Sequence, residues 1–382
     1  MNIPIVANHQ VLRYFAFFSD FPMPIARHLL RNDVLAAIKS GIASGAWTDN
    51  LPSERQLTER YQVSRGTLRY ALKNLQEAGI IRAVAGSGYV IEKRLQVEPS
   101  ASDGISIGIL IGTPYRNRGS QDGAWISTLQ QRVAKRQWHV HIHDGIPEIK
   151  RSPKIGLKKL FRATQHSCWA LIRCSHEAQS IFQSEGVPAI VCGTPFPGID
   201  LPSVDINFRA TGRHAAGVLA AKGHRRIGFV GRRNGFPGDE ELFEGFKEGL
   251  AASPSGPSLK KIRYGNQITD FGPILEQTTQ TKDPITGIFI DCPFRYLALF
   301  TQAIKAGIRV PEDLSLISRY DSDFLGFLTP EPARYQYDPK KMAHKIHSEL
   351  ESRIQGDVLK SKRSLVLPDY QPGASVGKAP GY

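Results

Sequence analysis

The chain has 382 residues, room for two or three domains at roughly 100 to 200 residues each, which excludes a peptide or a single small module. Hydrophobic residues at 41% and charged residues at 22% are ordinary globular usage, so neither wholesale disorder nor a collagen-like fibre fits. The formal charge of +14 favours a polyanionic partner; residues 1–98 carry 12 basic and 8 acidic side chains, and the excess continues beyond them, so it is not a basic tail.

Residues 1–25 read as an N-terminal arm. Its apolar run Tyr14 to Phe18 is about a third of a membrane span and lacks a small-residue cleavage site, which argues against export and insertion. Met23 opens the stretch that begins to read as helix, so a start codon there and a short disordered or dimer-contacting arm both suit the pattern. From Ala26, Leu30, Val34, Ile38 and Ile42 recur every four residues and predict an amphipathic helix ending near Gly45. Ser53 then caps a short second helix, with Gln56 placed to reciprocate, running to about Tyr61. Ser64 caps a third helix whose apolar stripe is Leu68, Ala71, Leu72 and Leu75, ended by Gly79. Ile80 to Val84 and Tyr89 to Ile91 are β-prone runs joined by the glycine-rich Ala85-Gly86-Ser87-Gly88, a hairpin pattern. Three helices and a hairpin outline a winged helix-turn-helix over residues 26–93, followed by a linker at 94–104.

Beyond the linker, apolar runs alternate with helical ones. Strands are expected at Ile105 to Ile111, His139 to His143, Ala170 to Arg173, Ala189 to Val191, Ile227 to Val230, Gly287 to Ile290 and Leu314 to Ser318. Helices are expected at Trp125 to Arg136, Ala210 to Lys222, Leu242 to Ala251 and Arg295 to Ala306. Such alternation predicts parallel sheets covered by helices, and its length suits two lobes better than one. The expected fold is α/β, an N-terminal winged helix-turn-helix followed by a two-lobed α/β periplasmic-binding-protein-like domain at 105–372, with a C-terminal tail at 373–382.

At about 100° per residue the third helix turns Gly66, Arg69, Tyr70 and Lys73 away from its apolar stripe, with Arg65 on the flank. Arg65 and Arg69 are one turn apart, so both guanidinium forks can enter one major groove, where they suit the O6 and N7 acceptors of guanine. Ser64, Thr67 and the free amides of the first turn suit phosphate. A basic outward face alone is also what a solvated helix presents; the ordered context of cap, short helix and hairpin favours double-stranded DNA.

Leu51-Pro52-Ser53-Glu54-Arg55-Gln56-Leu57, Val63-Ser64-Arg65-Gly66-Thr67-Leu68-Arg69, Gly79-Ile80-Ile81 and Gly86-Ser87-Gly88-Tyr89-Val90 resemble the DNA-binding domain of GntR-type bacterial transcription regulators. That resemblance implies DNA contacts from Arg55, Arg65, Arg69 and the Gly86-Ser87-Gly88 wing. Asn50 stands where the family often has Gly, and Asn also tolerates turn conformations.

The second part resembles the ligand-binding core of LacI-type repressors. The resemblance rests on Ser203-Val204-Asp205, Thr211-Gly212, the run Gly223 to Gly231, Gly245-Phe246, and the run Ala306 to Ser315. The combination is similar in arrangement to arabinose repressors of bacilli. In open parallel sheets ligands bind beyond the carboxyl ends of the strands, which directs attention to the loops Thr113 to Arg118, Cys174-Ser175, Arg232 to Asn234, Asp291 to Pro293 and Arg319 to Asp321. Within or beside them Tyr115, Arg116, Arg232, Asp291, Arg295 and Tyr320 can hydrogen-bond to or stack on an effector. Sugar- and purine-binding relatives place an Arg before the Gly-Phe pair, an Asn-Asp after one strand and an Asp pair after another. Here those positions hold Glu240, Cys292-Pro293 and Tyr320-Asp321, and only the second Asp remains, so the usual sugar pose is not supported. A carbohydrate-like polyol, an acid, or no effector at all stays open.

His139, His141 and His143 share one strand face, but neighbours there lie roughly 7 Å apart, awkward for one metal ion; no metal or cofactor is expected. Basic clusters at Lys150 to Lys159 and at Arg225-Arg226 with Arg232-Arg233 read as solvated faces, with phosphate or DNA contact the lesser option. Cys168, Cys174, Cys192 and Cys292 form no C-x-x-C pair, which suits reduced cytoplasm. No catalytic motif emerges, so the expectation is no enzyme. The leading reading is an effector-controlled, homodimeric repressor of pseudo-palindromic operators. The alternatives are a solute-binding receptor without regulatory DNA binding and a GntR-type fusion to an aminotransferase; the latter lacks both length and a lysine-centred motif.

Overall fold

A computed structural model describes residues 34–381 apart from 36–37, 40, 43–46, 48, 62, 85–87, 93–103, 113–119, 234, 265–270, 280–282 and 357–361. The predicted arm, the linker and most of the wing tip lie outside the described residues. Two compact units divide the chain between Ser102 and Asp103, apart from Leu160–Thr164, which group with the first.

In the first unit, Val34, Ile38 and Ile42 lie on helical turns and are buried as their spacing predicts. They pack with Leu57 of α1 (Glu54–Tyr61) and with Leu68, Ala71, Leu72 and Leu75 of α2 (Arg65–Glu77). Fully burying a leucine is worth about 1.5–3 kcal/mol, so this stripe fixes which face of α2 remains outside. Gly79, at φ 65°, adopts the left-handed conformation that ends α2 and admits β1 (Ile81–Val84), which pairs antiparallel with β2 (Gly88–Ile91). The segment before α1 joins this hairpin: the Leu51 amide donates to Tyr89 O at 2.8 Å and the Ile91 amide to Asp49 O at 2.8 Å. Asn50 thus sits on an isolated antiparallel bridge to Val90.

The second unit holds two six-stranded sheets. The first lobe begins β3 (Ser106–Ile111), α3 (Ser120–Ala134), β4 (His139–Asp144), α4 (Pro147–Arg151), α5 (Pro153–Ala163), β5 (Cys168–Ile172), α6 (His176–Ser184), β6 (Ala189–Cys192) and β7 (Ser203–Ile206). The second lobe follows with α7 (Phe208–Ala221), β8 (Arg226–Arg232), α8 (Pro237–Ala251), β9 (Ser258–Tyr264), α9 (Gly272–Thr279), β10 (Gly287–Ile290), α10 (Pro293–Lys305), β11 (Ser315–Ser318) and β12 (Ala333–Gln336). The chain then returns to the first lobe for α11 (Pro339–Gln355) and β13 (Arg363–Val366), and ends in the second with β14 (Asp369–Gln371). The strand orders are β13-β7-β6-β5-β3-β4, all parallel, and β14-β12-β11-β10-β8-β9, parallel except for β14. Every residue of β5, β10 and β11 is buried, as strands covered on both faces require.

Three connections cross between the lobes, at Asn207, at 337–338 and at 367–368; the Asn207 amide bonds to Val366 O at 2.8 Å and ties the first crossing to the third. In each sheet the strand order reverses once, between β3 and β5 and between β8 and β10. Ligand crevices form at such reversals. Helices α7 and α8 meet backbone to backbone: a Cβ on Gly212 would collide with Leu242 O, and one on Gly245 with Arg209 O. Residues 373–381, read from sequence as a tail, are built into the second lobe. Ser375 is fully buried, with its Oγ donating to Leu316 O at 2.6 Å and accepting from the Ala333 amide at 2.8 Å.

Candidate DNA interface and ligand cleft

Ser64 starts α2 by accepting the Thr67 amide on its Oγ at 3.2 Å. With the apolar stripe turned inward, Arg65, Gly66, Arg69 and Lys73 are exposed, while Thr67 and Tyr70 are half-buried. The expected cap of α1 also forms: the Gln56 amide donates to Ser53 Oγ at 3.3 Å and the Ser53 amide to Gln56 Oε1 at 3.0 Å. Arg55 pairs one turn along with Glu59 at 3.1 Å, and Lys73 with Glu77 at 3.7 Å. Arg69 Nε lies 3.3 Å from Glu54 Oε2, while Glu54 Oε1 accepts from the Tyr89 hydroxyl at 3.1 Å. One carboxylate therefore links α2 to the hairpin. The Arg69 side chain is still 68% exposed, and a pair so open to water is worth about 0–1 kcal/mol, less than a phosphate or guanine contact offers. Among the described residues Arg65 has no ion-pair partner. Gly88, at φ 81°, opens β2, and Gly86 and Ser87 lie outside the described residues.

The second site gathers where β7, β8, β10 and β11 end. Asp291 closes β10; its Oδ1 accepts from the Tyr264 hydroxyl at 2.7 Å and its Oδ2 from the Arg232 amide at 2.9 Å, across the strand-order reversal. Burial pushes its carboxyl up. Asp205, on β7, accepts from Thr194 Oγ1 at 2.6 Å and from the Ile206 amide at 2.7 Å, and burial pushes it up to about 6. Between them Arg319, only 5% exposed, pairs with Asp239 in the first turn of α8. Its guanidinium carbon stands 4.0 Å from the Phe208 ring centre and 4.7 Å from that of Tyr320. Burial drives the Asp239 carboxyl upward, yet Arg319 beside it prevails and holds it below the usual carboxylate range. Among the described residues Arg319 Nε has no hydrogen-bond partner. One guanidinium thus pairs with Asp239, favours the ionised forms of Asp205 and Asp291, and is framed by aromatic rings.

The lobes meet around this group. Gly238 approaches Phe208 and Thr194 so closely that a Cβ there would collide with the Phe208 ring, and the Phe196 and Phe236 rings lie 6.4 Å apart. Arg363 of β13 forks onto Glu241 of α8 at 2.7 and 3.0 Å, a bidentate latch between lobes.

Of the effector candidates read from sequence, Arg232, Asp291 and Tyr320 belong to this group, and Arg295 lies over the Tyr264 ring at 5.0 Å. Glu240 does not join it: one residue beyond Asp239, it is exposed and paired with Lys261 at 3.0 Å and Arg263 at 3.4 Å on the edge strand β9. The Asp321 carboxylate is taken up by Arg334 Nε at 2.7 Å and the Ser322 amide at 2.8 Å. Tyr115 and Arg116 lie outside the described residues. Sequence reasoning missed Asp205, Asp239, Arg319, Phe208 and Tyr264. The loop Arg319 to Asp321 stands among the candidate loops, but its candidates are Tyr320 and Asp321, not Arg319.

The strand histidines follow the pleat, yet only His143 is buried, with Nε2 2.9 Å from His166 Nε2; His166 Nδ1 lies 2.8 Å from Ser106 Oγ. Among the described residues no group of His, Cys, Asp and Glu has metal-binding geometry.

Comparison with known proteins agrees with both parts. Residues 30–91 match the gntR family of bacterial regulatory proteins, and residues 216–376 match the periplasmic binding protein-like domain. The HTH-type transcriptional repressor CytR of Escherichia coli K12 is 27% identical over 153 residues, covering 40% of this chain; the chain spans only 45% of that relative's length. A LacI-family regulatory protein from Chloroflexus aggregans superposes with a TM-score of 0.63 at 17% identity, over 71% of this chain and 98% of that one. The transcriptional regulator CelR in complex with cellobiose superposes at 0.61 and 18% identity, over 82% and 92%. At those identities the likeness is one of fold. The chain therefore joins a GntR-type helix-turn-helix module to a periplasmic-binding-protein-like core of the kind found in LacI-type regulators.

Proposed function

We propose that the chain is a transcription regulator, acting as a repressor, that binds operator DNA through α2 and is controlled by a small carbohydrate-like effector held between the lobes. The observation that carries this is the outward face of α2: an N-capped helix that presents Arg65 and Arg69 to solvent while its opposite face is fully buried. Arg65 and Arg69 read base edges in the major groove; Arg55, Ser64, Thr67 and Lys73 hold phosphate, Gly66 and Tyr70 border the contact, and the Gly86-Ser87-Gly88 wing lies against the backbone. The chain acts as a cytoplasmic homodimer that places two copies of α2 one helical turn apart on DNA. Among the described residues no helix is long and apolar enough to cross a membrane.

The effector reading is supported by the strand-order reversals, by Asp205, Asp239, Asp291 and Arg319 with their aromatic frame, and by cellobiose in the CelR complex. Hydroxyl-rich ligands suit alternating buried donors and acceptors stacked between rings. Ligand binding there shifts the population between open and closed lobes, and with it the spacing of the two DNA readers.

Fluorescence polarisation with labelled promoter DNA tests this at about 0.15 M salt, where nonspecific phosphate attraction is damped. Arg65→Ala and Arg69→Ala should each cost about 1–3 kcal/mol on specific DNA and relax base preference. Affinity for promoter no better than for random duplex would overturn the proposal; equal losses on both would reduce these arginines to phosphate contacts.

A further inference from the structure

The first lobe carries a recess that the interlobe cleft does not use. It measures about 460 Å³ and is lined by Thr128, Gln131 and Arg132 of α3, by Lys135 and Arg136 in the turn that follows it, and by Lys340 in the first turn of α11. Four of the six lining side chains are cations and none is an acid. Arg136 is tethered by Glu351 and lies 6.0 Å from the Trp138 ring, which stacks on His347 at 5.2 Å, so one wall is braced from behind. Among the described residues the side chains of Arg132, Lys135 and Lys340 have no acidic partner. The excess charge is felt locally: His347 is buried, which lowers its pKa first, and Arg132, Arg136 and His344 lower it further against the pull of Glu351. A helix surface that is merely solvated scatters both signs of charge; here uncompensated cations from α3, the turn after it and α11 converge on one concavity.

We infer that this recess is a second ligand site, taking a small, multiply charged phosphate ester such as a sugar phosphate or a nucleotide. Guanidinium and ammonium donors suit phosphate oxygens. The Gln131 amide and the Thr128 oxygen, whose own proton is given to Ala124 O at 2.8 Å, are left to meet hydroxyls of the attached sugar. The volume suits a molecule of that size. This site is independent of the effector assigned to the cleft and survives if that assignment fails.

The test is isothermal titration of the full chain at about 0.15 M salt with ribose 5-phosphate, ADP and inorganic phosphate in separate arms, against the wild type and the Lys135→Ala/Lys340→Ala double variant. Both replaced side chains are exposed, and an unchanged thermal midpoint checks that the fold is kept. One ester should bind at least tenfold tighter than inorganic phosphate, and the double variant should lose about tenfold or more for that ester; which ester prevails separates the sugar-phosphate source from the nucleotide. Equal binding of all three anions, or affinity unchanged in the double variant, would overturn the inference. So would a double variant that loses only affinity for random duplex, which would make the recess a DNA-backbone surface.

Discussion

Replacing Arg319 by Met removes the buried cation that pairs with Asp239 and keeps most of its side-chain volume. Arg319 is 5% exposed and its partner Asp239 25% exposed. Breaking a buried pair from one side costs about 3–5 kcal/mol, because the remaining charge stays desolvated. Asp239 keeps some access to water and keeps the Phe236 amide at 2.8 Å, which points to the lower end, about 3 kcal/mol. The rings of Phe208 and Tyr320 lose cation–π contacts worth about 0.5–2 kcal/mol each, and a methionine sulfur restores about 0.3–1.5 kcal/mol per ring, so that change is smaller than the ionic one. Urea unfolding at pH 7, followed by tryptophan fluorescence, measures the loss. Adding Asp239→Asn to the Arg319→Met chain should be less harmful than the two single effects summed, with a coupling of about 1–3 kcal/mol. A single-variant loss below about 1 kcal/mol, or strict additivity, would refute the claim that this pair organises the cleft.

Asp205 is buried with its carboxyl pushed up to about 6, so its ionised form costs native stability from the ordinary carboxylate range upward, in full above pH 6. Asp205→Asn should therefore stabilise the chain at pH 7 by up to about 3 kcal/mol, with the gain fading as pH falls from 6 toward 4; a gain independent of pH in urea titrations would contradict this. Burial, reinforced by neighbouring imidazoles, lowers His143 to about 4 and His166 to about 3. The unfolded chain takes up these protons near pH 6.5 and the native lobe does not, so stability is complete above that pH and declines from 6.5 toward 4. His143→Gln should flatten the decline, and an unaltered pH profile of the thermal midpoint would disprove the assignment. Gly245→Ala drives a methyl into Arg209 O; the crowding costs about 1–3 kcal/mol, against about 1 kcal/mol of improved helix propensity. A thermal midpoint lowered by about 2–4 °C per kcal/mol is the expected net result, and a raised midpoint would show that the two helices can separate at little cost.

Features set by local chemistry were legible in the residues. The caps at Ser53 and Ser64, the stripe of α2 and the apolar strands β3, β10 and β11 depend on neighbours a few positions away, and each forms within a residue or two of its expected place. Elements whose stability comes from distant partners were not read. β9 alternates, but its outward Lys and Arg disguise an edge strand, and β12, β13 and β14 are too short to show a period. The stripe Met342, Ile346 and Leu350 of α11 carries the same four-residue spacing as the first helix and was readable in principle. Arg319 was not: an arginine in a loop is ordinarily wet, and its burial is made tolerable chiefly by Asp239, brought from 80 positions away, and by the rings of Phe208 and Tyr320.

The three crossings also order events during synthesis. β7 emerges from the ribosome with one side unpaired, and the strand that covers it, β13, follows only after the whole run from α7 to α11 has been made. At about 5–20 residues per second that delay is on the order of ten seconds. Throughout it the nascent first lobe exposes a naked parallel margin, a template for any neighbouring polypeptide, and it closes that margin only once β13 has been made.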